Sequence, residues 1–309
     1  MHIGILGTGF GSYHGKIYNM LDQEVEVTIW GRQVQKLEEL KSEMGCNITT
    51  RLEDILENES IDLVDVCLPS ALHREYTIKV LKSGKDALIE TPAVLTIEDG
   101  EAILDVMKET GQQVYVNMFI RYDQPYIYLH KAHLDQRYGK LKHLSIYRKT
   151  PPLWGALGLD SMATSLMIHD LDFITWLLGK PKDMFYKAIE SDDHTKAYID
   201  CQLLYDNSLV HLVGHSMAPF GYPFSVGYEA VFDNGMIRYY EDGYEDHQEG
   251  ALEVFFDGTK ETIKLEEVMH CKAVLEQVVL GHKNGDLSRL KLADALVSLE
   301  LALKMQELI

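Results

Sequence analysis

The run Gly7-Thr8-Gly9-Phe10-Gly11-Ser12 constrains this chain more than any other feature. It follows a short apolar segment, residues 2–6, and opens a helical pattern. Gly7 permits a tight turn, and Gly9 lets backbone approach a ligand closely. The third position of such a motif wants a small residue where helix meets strand, and Ser12 is small enough. A helix starting there offers unpaired N–H groups and a partial positive charge to a pyrophosphate. The expectation is a nicotinamide-dinucleotide site on a parallel sheet.

The first third of the chain supports that reading. Strand patterns at 2–6, 25–30, 47–50, 63–68, 87–90 and 113–117 alternate with helical patterns at 13–21, 34–44, 71–83 and 97–110. Gly84 and Gly111 close the last two helices. Continuous apolar strands alternating with helices imply a parallel sheet covered on both faces. After about residue 121 the pattern changes. Helices are expected at 126–134 and 165–178. Strands are expected at 141–147, 197–205, 209–215, 225–232, 236–240 and 252–256, divided by turns such as Asp233-Asn234-Gly235. The acidic stretch 241–249 reads as a solvated loop. Helices at 268–280 and 290–308 end the chain, the last returning toward the first domain. The expected fold is therefore α/β. Residues 1–120 form a Rossmann domain with a parallel sheet, and 121–309 form an α+β domain with an open antiparallel sheet. That sheet's uncovered face suggests a homodimer or homotetramer.

Charge narrows the partners. Of 309 residues, 48 are acidic and 29 basic, a net charge of −19. Nucleic acid is disfavoured, and a bound dinucleotide needs local donors rather than a general positive field. Neutral small substrates fit better. No stretch approaches the ~20 apolar residues of a membrane span. Four scattered cysteines, without a signal-peptide pattern, suggest reduced thiols and a cytoplasmic location. No metal is expected, because the pairs His211/His215 and His130/His133 lack a third ligand at fitting spacing.

Three strand ends should face the ligand crevice. The second ends in Trp30-Gly31-Arg32. No carboxylate there would repel a 2′-phosphate, and Arg32 could pair with one, which favours NADP over NAD. Leu68-Pro69-Ser70 with His73, and Glu90-Thr91-Pro92, follow later strands. Asn117 and Arg121 follow the last. Arg121 suits either a polar substrate or a structural salt bridge. Trp154 is either a wall for a sugar ring or a core residue.

The glycine loop, Leu68-Pro69-Ser70 with His73, Glu90-Thr91-Pro92, Trp154, and Ser165 through Asp172 together resemble the glucose–fructose oxidoreductase / inositol dehydrogenase / MocA family along essentially the whole chain. The resemblance implies hydride transfer between NAD(P) and a hydroxyl or carbonyl carbon of a sugar, cyclitol or related compound. It also implies a lysine in a Glu-Lys-Pro motif, and an aspartate four residues before a histidine. Here those positions are Thr91, Ser165 and His169. His169 is then the candidate proton carrier, since an unperturbed imidazole titrates near neutrality. Asp172, one turn on, could fix its tautomer. Two functions follow. One is an NAD(P)-dependent oxidoreductase with a His-centred or water-relayed proton path. The other is a dinucleotide- or sugar-binding sensor whose catalysis has weakened with Thr91 and Ser165.

Overall fold

A computed structural model describes residues 1–21, 24–244, 247–265, 270–284 and 289–306. The chain forms two compact units: Met1–Phe119 with Val268–Leu296, and Ile120–Glu267 with Val297–Ile309.

In the first unit, β1 (His2–Leu6), β2 (Glu26–Trp30), β3 (Asn47–Thr49), β4 (Leu63–Val66), β5 (Asp86–Ile89) and β6 (Val114–Val116) form one parallel sheet in the order β3-β2-β1-β4-β5-β6. Every residue of β1 and β4 is buried, as a sheet covered on both faces requires. The interleaved helices are α1 (Phe10–Tyr18), α2 (Val34–Met44), the short α3 (Glu53–Leu56), α4 (His73–Lys82) and α5 (Ile97–Thr110). The strand order reverses between β1 and β4, so the loops after those strands open the crevice where such sheets bind ligands. α1 begins three residues earlier than its apolar spacing suggests, because Gly9 is its N-cap and the glycine loop runs straight into the helix. Gly111 ends α5 in a left-handed conformation, as expected.

In the second unit, α6 (Gln124–Leu134), α7 (Leu159–Met162) and α8 (Ile168–Leu178) accompany one sheet. Its strands are β7 (Leu141–Lys149), β8 (Asp183–Glu190), β9 (Ala197–Leu204), β10 (Leu209–His215), β11 (Ser225–Phe232), β12 (Gly235–Tyr244), β13 (His247–Phe256) and β14 (Thr259–Ile263), in the order β14-β13-β12-β11-β7-β10-β9-β8. Pairing is antiparallel except for β7 with β10, which run parallel because the chain between them crosses over through α7, α8, β8 and β9. Burial alternates along β7. Leu144, Ile146 and Arg148 are buried, whereas His143, Ser145, Tyr147 and Lys149 lie between them on the more open face.

The acidic stretch is not a loop. Glu241–Tyr244 belongs to β12 and His247–Glu249 to β13, paired as far as Tyr244 with His247. Residues 245–246 lie outside the described residues. The carboxylates find neighbours within the sheet: Tyr239 donates to Glu241 at 2.6 Å and Ser225 to Asp242. The polar edge strand β14 carries no apolar alternation, and for that reason escapes a pattern-based reading.

Helix α9 (His270–Asn284) packs on α1, and the Val116 N–H donates to Leu290 O at 2.9 Å. Buried Val274, Leu275, Val278 and Leu290 tie this stretch into the first unit. The described part of α10 runs over Leu292–Gln306; residues 268–269 and 307–308 of the two expected helices are outside the described residues.

Candidate active site

Gly7 has φ +117°, and a Cβ there would sit 2.5 Å from the Cys67 carbonyl oxygen. Only glycine fits. The close helix–strand approach falls on Gly11, where a Cβ would meet Ile5 Cγ2 at 2.7 Å. This corrects the expectation placed on Ser12, whose side chain instead turns back to donate to Gly9 O at 2.7 Å. A Cβ on Gly9 would meet nothing, so the loop faces open space at that point. α1 has no side-chain cap and no acidic residue in its first turn. Its N-terminal N–H groups are therefore available to an anion. A crevice of about 440 Å³ lies here, lined by Gly7, Thr8, Gly9 and Phe10, then Trp30, Gly31 and Arg32, then Cys67, Leu68 and Pro69. Exposed Arg32 is the cation among these lining residues. Volume, backbone donors and the single guanidinium fit a dinucleotide.

Ser70 is half-buried and follows the last of these lining residues, while His73 is fully buried. His73 Nε2 and Nδ1 lie 2.8 Å from Leu68 O and 3.0 Å from Ala93 O. It therefore braces the loops after β4 and β5 from beneath and does not line the crevice. Burial lowers its pKa, with the backbone contacts opposing.

Beneath the glycine loop lies a polar cluster in which sequence reading named Glu90, Thr91 and Asn117 but missed His14, Tyr18, Asp65 and Cys67. His14 Nδ1 sits 2.8 Å from Asp65 Oδ2, which also accepts from Tyr18 at 3.0 Å. Cys67 Sγ donates to Asp65 Oδ1 at 3.2 Å. His14 Nε2 faces Glu90 Oε1 at 3.2 Å, and Asn117 Nδ2 donates to that same oxygen at 2.8 Å. The Thr91 hydroxyl donates to Asn117 O at 3.0 Å. Burial opposes charging His14, but Asp65, Cys67 and Glu90 carry its pKa well above the ordinary value. Burial raises Glu90 in turn, with His14 and Asn117 pulling the other way. Burial and Asp65 push the Cys67 thiol well up, so it stays protonated. Ligand atoms of His14, Cys67 and Glu90 lie within 4.8 Å of one another. Asp65 engages His14 Nδ1, and the Cys67 thiol donates its proton to Asp65, so these residues are arranged as a hydrogen-bonded network. The available signal was Asp65 itself, one acid in the apolar run Leu63-Val64-Asp65-Val66. A buried charge demands a partner.

In the second unit, Ser165 is exposed on a π-helical turn, Ala163–Met167, just before α8. His169 follows at the start of α8 and is half-buried. Burial, helped by Arg148, pushes its pKa down to about 3. The ordinary imidazole value assumed from sequence does not apply: His169 is neutral at physiological pH and is no cationic acid. Both oxygens of Asp172 accept from Arg121, at 2.7 and 2.9 Å, and both residues are buried. Of the two readings for Arg121, the geometry supports the salt bridge. Asp170 holds Arg148 in the same bidentate way, at 2.7 and 3.0 Å. Trp154 is 45 % exposed and meets the Phe224 ring edge-on at 5.1 Å, so it is not a core residue.

Residues 1–118 match the family described as oxidoreductases with an NAD-binding Rossmann fold. The chain is 26 % identical to an NADP-dependent scyllo-inositol 2-dehydrogenase of Bacillus subtilis, over 79 % of this chain and 70 % of that one. It is 24 % identical to a myo-inositol 2-dehydrogenase of Thermotoga maritima, over 85 % and 77 %. Among solved structures it is similar in fold to a UDP-N-acetylglucosamine 3-dehydrogenase of Acidithiobacillus ferrooxidans, with a TM-score of 0.82 at 19 % identity over 99 % of this chain and 96 % of that one. A biliverdin reductase from Synechocystis, solved with biliverdin and NADP+, shares the fold at a TM-score of 0.77 and 14 % identity, over 98 % of each chain.

Proposed function

We propose that this chain, whose residues 1–118 match an oxidoreductase family with an NAD-binding Rossmann fold, is a Gfo/Idh/MocA-type oxidoreductase that moves hydride between NADP(H) and a hydroxyl or carbonyl carbon of a neutral sugar-like or cyclitol compound. The observation that carries this reading is the uncapped N-terminus of α1 opening on a crevice with one guanidinium at its β2 end. The N–H groups of the first turn of α1 would hold the pyrophosphate, and Arg32 the 2′-phosphate. Asn117 and the Glu90-Thr91-Pro92 turn would border the nicotinamide half. When bound, the cofactor supplies or accepts the hydride.

The protein's own residues must manage the accompanying proton. Thr91 cannot act as a cationic acid and is engaged with Asn117 O. His169, neutral beside Arg148, is suited to orienting a substrate hydroxyl by hydrogen bonding. Ser165, His169 and Trp154 are the proposed substrate residues of the second unit. The inositol dehydrogenases among its relatives support a polyhydroxylated substrate.

The test is transfer of deuterium from stereospecifically labelled NADPH across a panel of inososes, keto sugars and conjugated carbonyls. Label appearing on one face of one compound class establishes the reaction. Tight dinucleotide binding without transfer to any of them favours the sensor reading that Thr91 and Ser165 suggest.

The sheet of the second unit exposes Phe185, Ile189 and Tyr240. A second copy covering these strands is the proposed assembly, checked by light scattering. Cys46, Cys67 and Cys201 are free and buried, in keeping with a cytoplasmic protein. No helix of the described residues is long and apolar enough to cross a membrane.

A further inference from the structure

The network beneath the glycine loop sets a buried imidazole against a carboxylate. His14 Nε2 lies 3.2 Å from Glu90 Oε1, an ion-pair contact that is not aligned as a hydrogen bond, and Nε2 has no other hydrogen-bond partner. A protonated His14 offsets the Glu90 carboxylate at that distance, and a neutral one leaves it uncompensated. Asp65 fixes the other ring nitrogen at 2.8 Å, an orienting carboxylate behind an imidazole. The groups facing the pair are Asp65 from β4, Cys67 just after it, Tyr18 from α1 and Asn117 after β6. Asp65 is an anion, and the other three are neutral. With both carboxylates ionised, the imidazolium leaves the cluster one net negative charge.

One member of the cluster reaches the surface. The side chains of His14 and Asp65 are fully buried, whereas Glu90 keeps 19 % of its side-chain surface open. Glu90 ends β5, and Asn117 follows β6. In a sheet of this strand order a bound dinucleotide would put its adenosine half over β2 and its nicotinamide half toward β4, β5 and β6. Glu90, next to Thr91, would then open on the reacting side.

We propose that Glu90 is a catalytic residue that exchanges a proton with the reacting oxygen, directly or through one water, and that His14, oriented by Asp65, is its proton reservoir. The proposal rests on the oxidoreductase reading above. In the reducing direction the pair's one proton leaves His14, passes through the Glu90 carboxylate and forms the new O–H on the substrate oxygen, while a bound dinucleotide would supply hydride to the carbonyl carbon. Neutral His14 and the Glu90 carboxylate remain, and a solvent proton entering at Glu90, the more open of the two, restores the imidazolium. Oxidation of an alcohol runs the same transfers backwards. The shifts of both groups above their ordinary values, from burial and mutual charge, agree with a proton held at neutral pH.

The test needs no substrate. A cationic ring near the pair should expel the shared proton, whereas a neutral ring should not. Titration calorimetry of the full chain at pH 7, in two buffers of different ionisation enthalpy, counts protons exchanged with NADP+ and with NADPH. NADP+ should release roughly half a proton or more beyond NADPH. Glu90→Gln should abolish that difference. With any substrate the panel identifies, the same variant should lower kcat on the order of 10²–10⁴-fold and flatten the pH profile. Equal proton exchange for both dinucleotides in the unaltered protein overturns the proposal, even if the variant fails to fold. Equal binding and an unchanged kcat and pH profile in Glu90→Gln overturn it as well. If neither dinucleotide binds, the oxidoreductase reading fails first and takes this one with it.

Discussion

The two units bury charge in opposite ways. In the second, Asp172 and Asp170 are each closed by a guanidinium in bidentate geometry. A guanidinium does not titrate in proteins, so that compensation is permanent. In the first, Asp65 and Glu90 are held by His14 and by neutral donors, and the only mobile cation is a proton. The second unit's arrangement makes a scaffold, and the first unit's makes a site that can change state. The imidazole beside the permanent cation loses its proton, and the one between two carboxylates keeps it. Neither behaviour is a property of histidine as such; each is set by which charge lies alongside.

The largest effect expected from breaking this contrast is on stability. Arg121→Met leaves Asp172 buried without its cation, at a cost of about 3–5 kcal/mol. At roughly 2–4 °C per kcal/mol for a unit of this size, Tm should fall by about 10 °C. Calorimetry checks it, and Arg121→Met with Asp172→Leu should recover most of the loss if the ion pair is purely structural. Failure of that rescue would show that the pair does more than hold the fold.

Next in size is Gly9→Asp. Because a Cβ there meets nothing, the fold should tolerate it. Its carboxylate would face the pyrophosphate, and like charges at such a site cost several kcal/mol. Dinucleotide affinity should drop on the order of 100-fold or more, about 2.7 kcal/mol, with Tm nearly unchanged. The pair of results separates binding from scaffold in the first unit as the Arg121 variant does in the second. Arg32→Ala is smaller again. Losing one exposed charge-assisted contact to the 2′-phosphate should cut the NADP-to-NAD affinity ratio about tenfold, or about 1.4 kcal/mol, readable by fluorescence titration.

Sequence reading followed the same division. The parallel sheet is legible because short, mostly apolar runs such as Val27–Trp30 and Leu63–Val66 alternate with helical patterns, and because the glycine loop stands between a strand and a helix. Ser12 received the close approach that falls on Gly11, because local spacing cannot show that Ile5 lies against Gly11. The proton network joins residues as far apart as 14, 65, 90 and 117, and no window contains them together. His169 was found by resemblance, but its charge state was misjudged, since Arg148 is distant in sequence and adjacent in space. The paired strand ends 241–244 and 247–249 are hidden by their charge, which lies along paired strands rather than in a loop.

The smallest effect is also the one that most sharpens the contrast, because pH should weaken the two units at opposite ends. His169 has its folded pKa depressed to about 3. The unfolded chain then binds its proton more readily. The associated stability is present above the unfolded value near 6.5 and is lost as pH falls from there toward 3. His14 has its folded pKa raised, so its contribution is complete below about 6.5 and is lost as pH rises through the higher folded value. One proton changes stability by at most about 1.4 kcal/mol per pH unit, a few degrees in Tm. Amide exchange resolved along the chain should therefore show β7 and α8 loosening at pH 5 and α1 and β4 loosening at pH 9. His169→Gln should remove the acid limb alone, and His14→Gln the alkaline limb alone. Loss of both limbs in either variant would mean that the units titrate as one body, and the distinction between fixed and movable compensation would not survive.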